Sequence, residues 1–302
     1  MVDLKKQIIL LLSLCCSIAN AHDFEVDCIY YNITDAANKT VEVTFEGEDY
    51  SVGDEYKGLV VIPSSVEYNG VAYTVGTIGE FAFAECGGLS SVEIPSSVSI
   101  IHQFAFNNCA GLDYVEIPSN VEIIGEFAFS GCIGLKSVVI KDGVKSISNA
   151  AFGGCSSLND ITLPGNIESI GGYAFSNCTA LTNFVIPDSL NYIPDGIFSG
   201  CTALKEVVIH NRVEVILGSA FSYCKSLESV VIPESVRLIG VEAFMCCEAL
   251  KNVTSLAVIA PEMELDYCAF EDIYPSATLY YPAGSDYSSW SECFSTIVEL
   301  EE

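Results

Sequence analysis

Hydrophobic residues recur along the chain with a period of 23, and four columns keep the same register. Isoleucine fills one column from Ile78 to Ile239, and leucine fills another from Leu89 to Leu250. A repeat of this length predicts a solenoid, in which each coil buries its apolar side chains against its neighbours. The other two columns are phenylalanine and, three residues later, cysteine: Phe83, Phe106, Phe129, Phe152, Phe175, Phe198, Phe221 and Phe244, with Cys86, Cys109, Cys132, Cys155, Cys178, Cys201, Cys224 and Cys247.

The order of residue types within one unit predicts three short elements. A unit such as 89–109 begins Leu-x-x-Val-x-Ile, whose alternation and β-branched residues are typical of a strand. Proline then ends the strand, because it has no N–H for a ladder. Val98 and Ile101 predict a second extended segment. The segment from Ala105 to Cys109 is too short for an α-helix and predicts a 3-10 turn.

One stretch of the chain resembles a known repeat. Residues 117–132 read Ile-Pro-Ser-Asn-Val-Glu-Ile-Ile-Gly-Glu-Phe-Ala-Phe-Ser-Gly-Cys, which is similar to the hallmark of the BspA-type leucine-rich repeat of bacterial and protozoan surface proteins. Seven uninterrupted units run from Leu89 to Glu248. The resemblance implies a β-dominated leucine-rich-repeat horseshoe of the α/β class, with one concave-face strand per coil and a cap at each end. It also implies adhesion to host proteins or to other cells.

The sequence outside the repeats divides into three segments. Residues 1–21 read as a signal peptide, with Lys5 and Lys6 before a short apolar run, and we favour cleavage after Ala21 over lipidation at Cys15 or Cys16 or retention of the segment. Residues 22–77 predict a β-rich N-terminal cap leading into the first coil, and its Asn69-Gly70 pair predicts a hairpin. The repeats occupy 78–254, and 255–302 form a degenerate last coil with a C-terminal cap. We therefore expect a secreted or surface-exposed protein without a transmembrane segment.

The hydrophobic content and net charge of the chain limit the classes of partner that it can bind. Half of the residues are hydrophobic and 17% are charged, which excludes a disordered chain. The 12 basic and 40 acidic residues give a net charge of −28. Such a chain repels phosphate backbones, so nucleic-acid binding is not expected. A partner with basic patches is favoured instead.

The 14 cysteines suggest a disulfide framework or a metal site, but their spacing favours neither. One cysteine per coil places parallel side chains about 5 Å apart in stacked coils. A disulfide needs converging Cβ atoms, and zinc sites have close C-x₂₋₄-C spacings. We expect a buried ladder of free thiols and no cofactor or metal. Two of the other six cysteines, Cys15 and Cys16, lie in the predicted signal peptide, and the remaining four leave a cap disulfide open without deciding the pairing: Cys28, Cys246, Cys268 and Cys293.

Candidate catalytic residues are scarce. The histidines are His22, His102 and His210, and the last two lie far apart in the sequence. No nucleophile elbow, zinc-binding H-E-x-x-H or phosphate loop occurs. Paired carboxylates can hydrolyse glycosides without histidine, but among so many acidic residues proximity carries little information. We expect a protein that is not an enzyme.

The strand residues that alternate with the core are the candidate binding surface, since stacked strands in repeat proteins form an extended face. A valine stripe on this face is either a protein contact patch or simply a set of good strand formers. Two rival functions are self-assembly in the envelope and glycan capture, for which Tyr114 is the one clear aromatic candidate. The candidate residues are Ser91, Glu93, Tyr114, Glu116, Ser137, Val139, Asp160, Thr162, Asn183, Val185, Glu206, Val208, Ser229 and Val231.

Overall fold

The computed structural model describes residues 22–47, 56–263 and 269–301, and the predicted signal peptide lies outside these residues. The described chain contains 24 strands joined by turns, and a single 3-10 helix is recorded within it, at Ser288–Trp290. The first six strands are β1 Phe24–Val26, β2 Ile29–Asp35, β3 Thr40–Thr44, β4 Gly58–Val61, β5 Ser65–Tyr68 and β6 Val71–Ile78.

Two kinds of strand then alternate along the chain. Odd-numbered strands form what we call the strand side: β7 Leu89–Glu93, β9 Tyr114–Ile117, β11 Ser137–Ile140, β13 Asp160–Thr162, β15 Asn183–Val185, β17 Glu206–Val208, β19 Ser229–Ile232, β21 Asn252–Ser255 and β23 Thr278–Pro282. Even-numbered strands form the second side: β8 Ile100–Ile101, β10 Ile123–Ile124, β12 Ser146–Ile147, β14 Ser169–Ile170, β16 Tyr192–Ile193, β18 Val215–Ile216, β20 Leu238–Ile239 and β22 Glu262–Met263. The last strand, β24 Thr296–Leu300, returns to the strand side.

Strands pair in parallel with the equivalent strands of neighbouring coils, and this pairing forms both the strand side and the second side. On the strand side, β4, β7, β9, β11 and β13 form one sheet, β15 and β17 a second, and β19, β21, β23 and β24 a third. The register places Val115, Val138 and Ile161 directly beside one another. Since side chains alternate along a strand, this register stacks like residues on the inner face of successive coils.

The N-terminal region begins both sheets. Antiparallel strands β1, β2 and β3 continue into the second side through the parallel pair β3–β6, while β4 pairs with β7 on the strand side. The predicted Asn-Gly hairpin is confirmed between β5 and β6. Asn69 and Gly70 have φ values of 51° and 74°, as a type I′ turn requires. The domain boundaries proposed from the sequence remain predictions.

The third side of each coil, which we call the turn side, differs from the predicted 3-10 turn. Phe104 and Asn108 have φ values of 56° and 58°, whereas every residue of a 3-10 turn has negative φ. Their N–H groups bond to the next coil, at the carbonyls of Glu126 and Ser130. Hydrogen bonds between coils thus replace helical geometry, and the segment forms successive turns with left-handed residues four positions apart.

The phenylalanine column forms the centre of the core. Phe83 and Phe106 are fully buried and stack with centroids 4.8 Å apart and planes within 2°. The stack continues coil by coil to Phe244 and Phe270, and Trp290 closes it at the C-terminal end. Burial of such rings at roughly 25 cal/mol per Å² of apolar area stabilises the contact between neighbouring coils.

The cysteine column lies beside these rings, and all eight cysteines are buried and form no disulfide. The Cys109 thiol donates a hydrogen bond to the Phe83 carbonyl at 3.0 Å, and the same bond recurs along the column. Burial raises the pKa of the Cys201 thiol to about 12. Cys28 and Cys246 are free. Cys293 is disulfide-bonded, and Cys268 lies outside the described residues.

Candidate binding surface

All fourteen candidate residues lie on the outer face of the strand side, where they are exposed or half-buried. The register arranges them in two rows that run across the strands. The row nearer the strand starts, here the polar row, is Ser91, Tyr114, Ser137, Asp160, Asn183, Glu206 and Ser229. The row nearer the strand ends, here the valine row, is Glu93, Glu116, Val139, Thr162, Val185, Val208 and Val231.

Three consecutive coils of the valine row expose aliphatic side chains. Val185, Val208 and Val231 are 63%, 46% and 50% exposed, although the residues before them in each strand are buried. Val185 is the direct strand partner of Val208. Because paired strands lie about 4.8 Å apart, Val185 and Val208 form one apolar strip, and Val231 stands at the same position of the next coil, on the first strand of the third sheet. We call Val185, Val208 and Val231 the valine ridge.

The first coils present polar groups at the same positions. The Tyr114 hydroxyl donates a hydrogen bond to Glu116 Oε2 at 3.1 Å, and Lys141 Nζ lies 3.5 Å from Glu116 Oε1. Local desolvation, and then the bond to Glu116, raises the pKa of Tyr114. Glu93 lies beside Glu116 in the valine row. The valine row therefore changes from glutamate in the first coils to valine in the later ones.

The rows extend beyond the residues predicted from the sequence. Leu59 and Val61 on β4 are exposed and pair with Ser91 and Glu93, so an apolar edge precedes the acidic coils. These two residues do not follow the 23-residue step, and the sequence contained no signal that would have placed them there. At the other end Thr254 pairs with Val231, which the step alone could have predicted.

The two histidines of the repeats, His102 and His210, lie on different coils. His210 Nε2 donates to the Pro187 carbonyl at 2.9 Å, in the position where most coils have proline. His102 lies half-buried on a different coil. Within 22–47, 56–263 and 269–301, no three His, Cys, Asp or Glu side chains are grouped so that they could hold a metal ion. No helix of the described chain is long and apolar enough to cross a membrane.

Comparison with known proteins identifies the repeat. Three overlapping segments, 76–205, 125–251 and 170–294, match the BspA type Leucine rich repeat region, in six copies. The chain belongs to the BspA-type leucine-rich-repeat family. This confirms the resemblance of residues 117–132, and with it the solenoid of stacked 23-residue coils. Both support a repeat-based binding module.

Several solved structures are similar to this BspA-type protein. The T. pallidum leucine-rich repeat protein TpLRR is 28% identical, with a TM-score of 0.57, over 68% of this chain and 90% of its own. A leucine-rich repeat protein from Bacteroides ovatus is 23% identical, with a TM-score of 0.36, over 93% of this chain and 100% of its own. The pneumococcal vaccine antigen PcpA is 17% identical, with a TM-score of 0.40, over 92% of this chain and 98% of its own. No curated protein matches the chain in sequence.

Proposed function

We propose that this protein is secreted or displayed at the cell surface and binds another protein through its strand side, with no catalytic step. The valine ridge carries the proposal. An exposed strip of three aligned aliphatic residues is a costly feature on a monomer's surface unless something covers it. Adhesion to a host or neighbouring cell, as the family resemblance implies, is the setting in which such a module would act.

The ridge lies on a rigid support. Its residues alternate with Phe184, Val207 and Val230, which are buried against the phenylalanine column and its neighbours. Parallel pairing with β15 fixes the backbone of β17 on one side, and β19 packs beside it on the other, so little conformational entropy is lost when a partner docks. The surface is therefore preformed, and affinity depends on how well a partner matches it.

Charge around the ridge favours a basic partner. Glu206 lies on the same strand as Val208, Asp160 precedes it in the polar row, and Glu93 and Glu116 continue the acidic character. A chain with a net charge of −28 attracts a cationic surface at long range, and salt screens this attraction. We expect the association rate to fall as ionic strength rises, while the apolar contact persists.

Replacement of ridge valines tests the proposal. Immobilised protein would capture its partner from host-cell or neighbouring-cell surface extracts, and Val185→Asp with Val208→Asp should reduce capture at least about ten-fold by placing unpaired charges in the contact. A matched control is Val258→Asp with Ile259→Asp, which removes two exposed aliphatic side chains outside the strand side. Equal loss in both variants, or no loss in either, would contradict a strand-side site.

Two further measurements distinguish the rival functions. We expect light scattering at high concentration to give the mass of a monomer. If the ridge instead drives self-assembly, the wild type should have a larger mass than the Val185→Asp, Val208→Asp variant. Saturable binding on a glycan array that depends on Tyr114 would replace the protein partner by a carbohydrate. Sequencing the N-terminus of the exported protein tests the proposed cleavage after Ala21.

A further inference from the structure

The turn side carries a second set of rings that face outward. Phe81, Phe104 and Phe127 stand two positions before the core phenylalanines of their coils and are half-buried. Their ring centroids are 4.9 and 5.0 Å apart, with planes within 6° and 2° of parallel. Each coil in this region therefore contributes one ring to a stack along the outside of the solenoid.

The stack is interrupted at the next coil. Ala150 stands at the corresponding position with a similar backbone, since its φ of 50° compares with 54° at Phe127. The column resumes at Tyr173, which is 49% exposed. A depression of about 450 Å³ opens here, lined by Phe127, Ala150 and Tyr173 together with glycines 153, 154 and 172. Phe127 and Tyr173 thus line the same depression from two coils apart, with Ala150 between them in the column.

The surrounding residues keep this space open. Gly153 and Gly154 contribute no side chains to its floor. The Tyr173 ring leans toward the following coil, where it occupies the space that a side chain at Gly196 would need. The depression therefore lies between Phe127 and Tyr173, and Ala150 on its floor is 8% exposed. We call it the Ala150 slot.

We propose that the Ala150 slot binds an aromatic side chain of a partner protein, presented between basic residues. A ring entering the slot would continue the column at the spacing of about 5 Å that its own phenylalanines adopt, which is a favourable geometry for aromatic pairs. The site lies on a different side of the coils from the valine ridge and does not depend on it.

The polar groups at the slot favour an aromatic ring over a sugar. Asn149 Nδ2 donates to Glu126 Oε1 at 3.1 Å, and Asn149 Oδ1 accepts from the Gly172 N–H at 2.9 Å. Ser130 Oγ donates to the Gly153 carbonyl at 3.0 Å. The Asn149 and Ser130 side chains are thus engaged between coils, which leaves them less available to sugar hydroxyls. The exposed Glu126 carboxylate, beside Phe127, favours a cation next to the bound ring.

Short peptides test the slot directly. Saturation-transfer NMR would measure binding of acetyl-Lys-Phe-Lys-amide to the full protein, with leucine in place of phenylalanine and glutamate in place of lysine as comparison peptides. A single ring with two flanking cations should bind with a dissociation constant on the order of 1 mM. The leucine and glutamate peptides should each bind at least about five-fold more weakly, because they lose the stacked ring or the charge attraction.

Variants locate the binding. Ala150→Phe should fill the slot and abolish transfer to the peptide, and it should fold because the column already holds phenylalanine at this backbone conformation. Tyr173→Ala removes one wall and should weaken binding about five-fold, whereas Tyr173→Phe keeps the wall and should bind like the wild type. Val185→Asp with Val208→Asp should leave the peptide signal unchanged, which separates this site from the strand side.

Two results would overturn the proposal. Undiminished peptide binding by both Ala150→Phe and Tyr173→Ala would place the peptide elsewhere on the molecule. Binding of methyl β-glucoside that Ala150→Phe removes, without binding of the phenylalanine peptide, would assign the slot to a carbohydrate. Tyr173→Ala retains the wild-type floor, so the test holds even if Ala150→Phe reduces folding.

Discussion

The inner columns and the outer rows of this protein repeat at the same step but differ in how much they vary. Phenylalanine occurs at every coil of the core column from Phe83 to Phe244, whereas the valine row contains glutamate, threonine and valine. Stacking explains the difference, because each inner side chain must fit the copies before and after it at close to 5 Å. Outer side chains contact solvent, so packing against neighbouring coils does not restrict their residue type. The positions that keep one residue type in every coil form the core, and the positions whose residue type differs between coils form the candidate sites.

The strongest test of this contrast removes one inner ring. Phe152 is fully buried and stacks on Phe129 at 5.2 Å and on Phe175 at 5.7 Å. Phe152→Ala should lower the free energy of unfolding by about 3–5 kcal/mol, because it removes apolar contacts and leaves a cavity between coils. Urea denaturation followed by circular dichroism measures the change.

The matched control for that experiment is an outer aromatic residue. Tyr114→Ala on the strand side should change stability by no more than about 0.5 kcal/mol, since Tyr114 is 41% exposed and lies outside the core. Similar losses in both variants would contradict the division of the coil into a structural interior and a variable exterior.

A smaller effect should appear at alkaline pH. Burial raises the pKa of Cys201 from 9.0 to about 12. Between these values the unfolded thiol loses its proton and the native thiol keeps it, so stability falls as pH rises and is fully retained below pH 9. The slope is at most about 1.4 kcal/mol per pH unit for each such thiol. Cys201→Ala should therefore weaken the decline in stability between pH 9 and 11, measured by urea denaturation.

Comparing how steeply the free energy of unfolding falls with pH in different variants separates the ionisation of Cys201 from the packing that Cys201→Ala removes. Leu204→Ala, which removes a buried side chain that does not titrate, should leave the alkaline slope of the wild type unchanged. A Cys201→Ala slope that matched the wild type over the same pH range would show that the buried thiol does not couple ionisation to folding.

The smallest expected effect comes from an outer ion pair between coils. Lys136 Nζ lies 2.7 Å from Asp113 Oδ1, and both side chains are more than half exposed. A double-mutant cycle with Lys136→Ala and Asp113→Asn should give a coupling of about 0–1 kcal/mol at low salt. It should disappear near 1 M salt, where the Debye length is about 3 Å. A coupling that survived high salt would mean that outer contacts hold coils together as inner ones do.

Much of the fold could be predicted because the informative signals are local. Strand alternation placed Val115 and Val138 inward and Glu116 outward, as the structure has them. The Asn69-Gly70 turn followed from backbone preference alone. The turn side was predicted less well, because the left-handed conformations of Phe104 and Asn108 depend on hydrogen bonds to the next coil.

The sequence by itself determined the coil length, the inner columns and the residues that face outward on the strand side. Only the tertiary structure decided which outer residues become neighbours where the step changes, as Val61 does with Glu93. It also decided that the small side chain of Ala150 lies in a depression lined by Phe127 and Tyr173. The physical reason is that the 23-residue period specifies the side chains that are the same in every coil. A site depends on the side chains that differ between neighbouring coils, and only the structure shows which of these lie together.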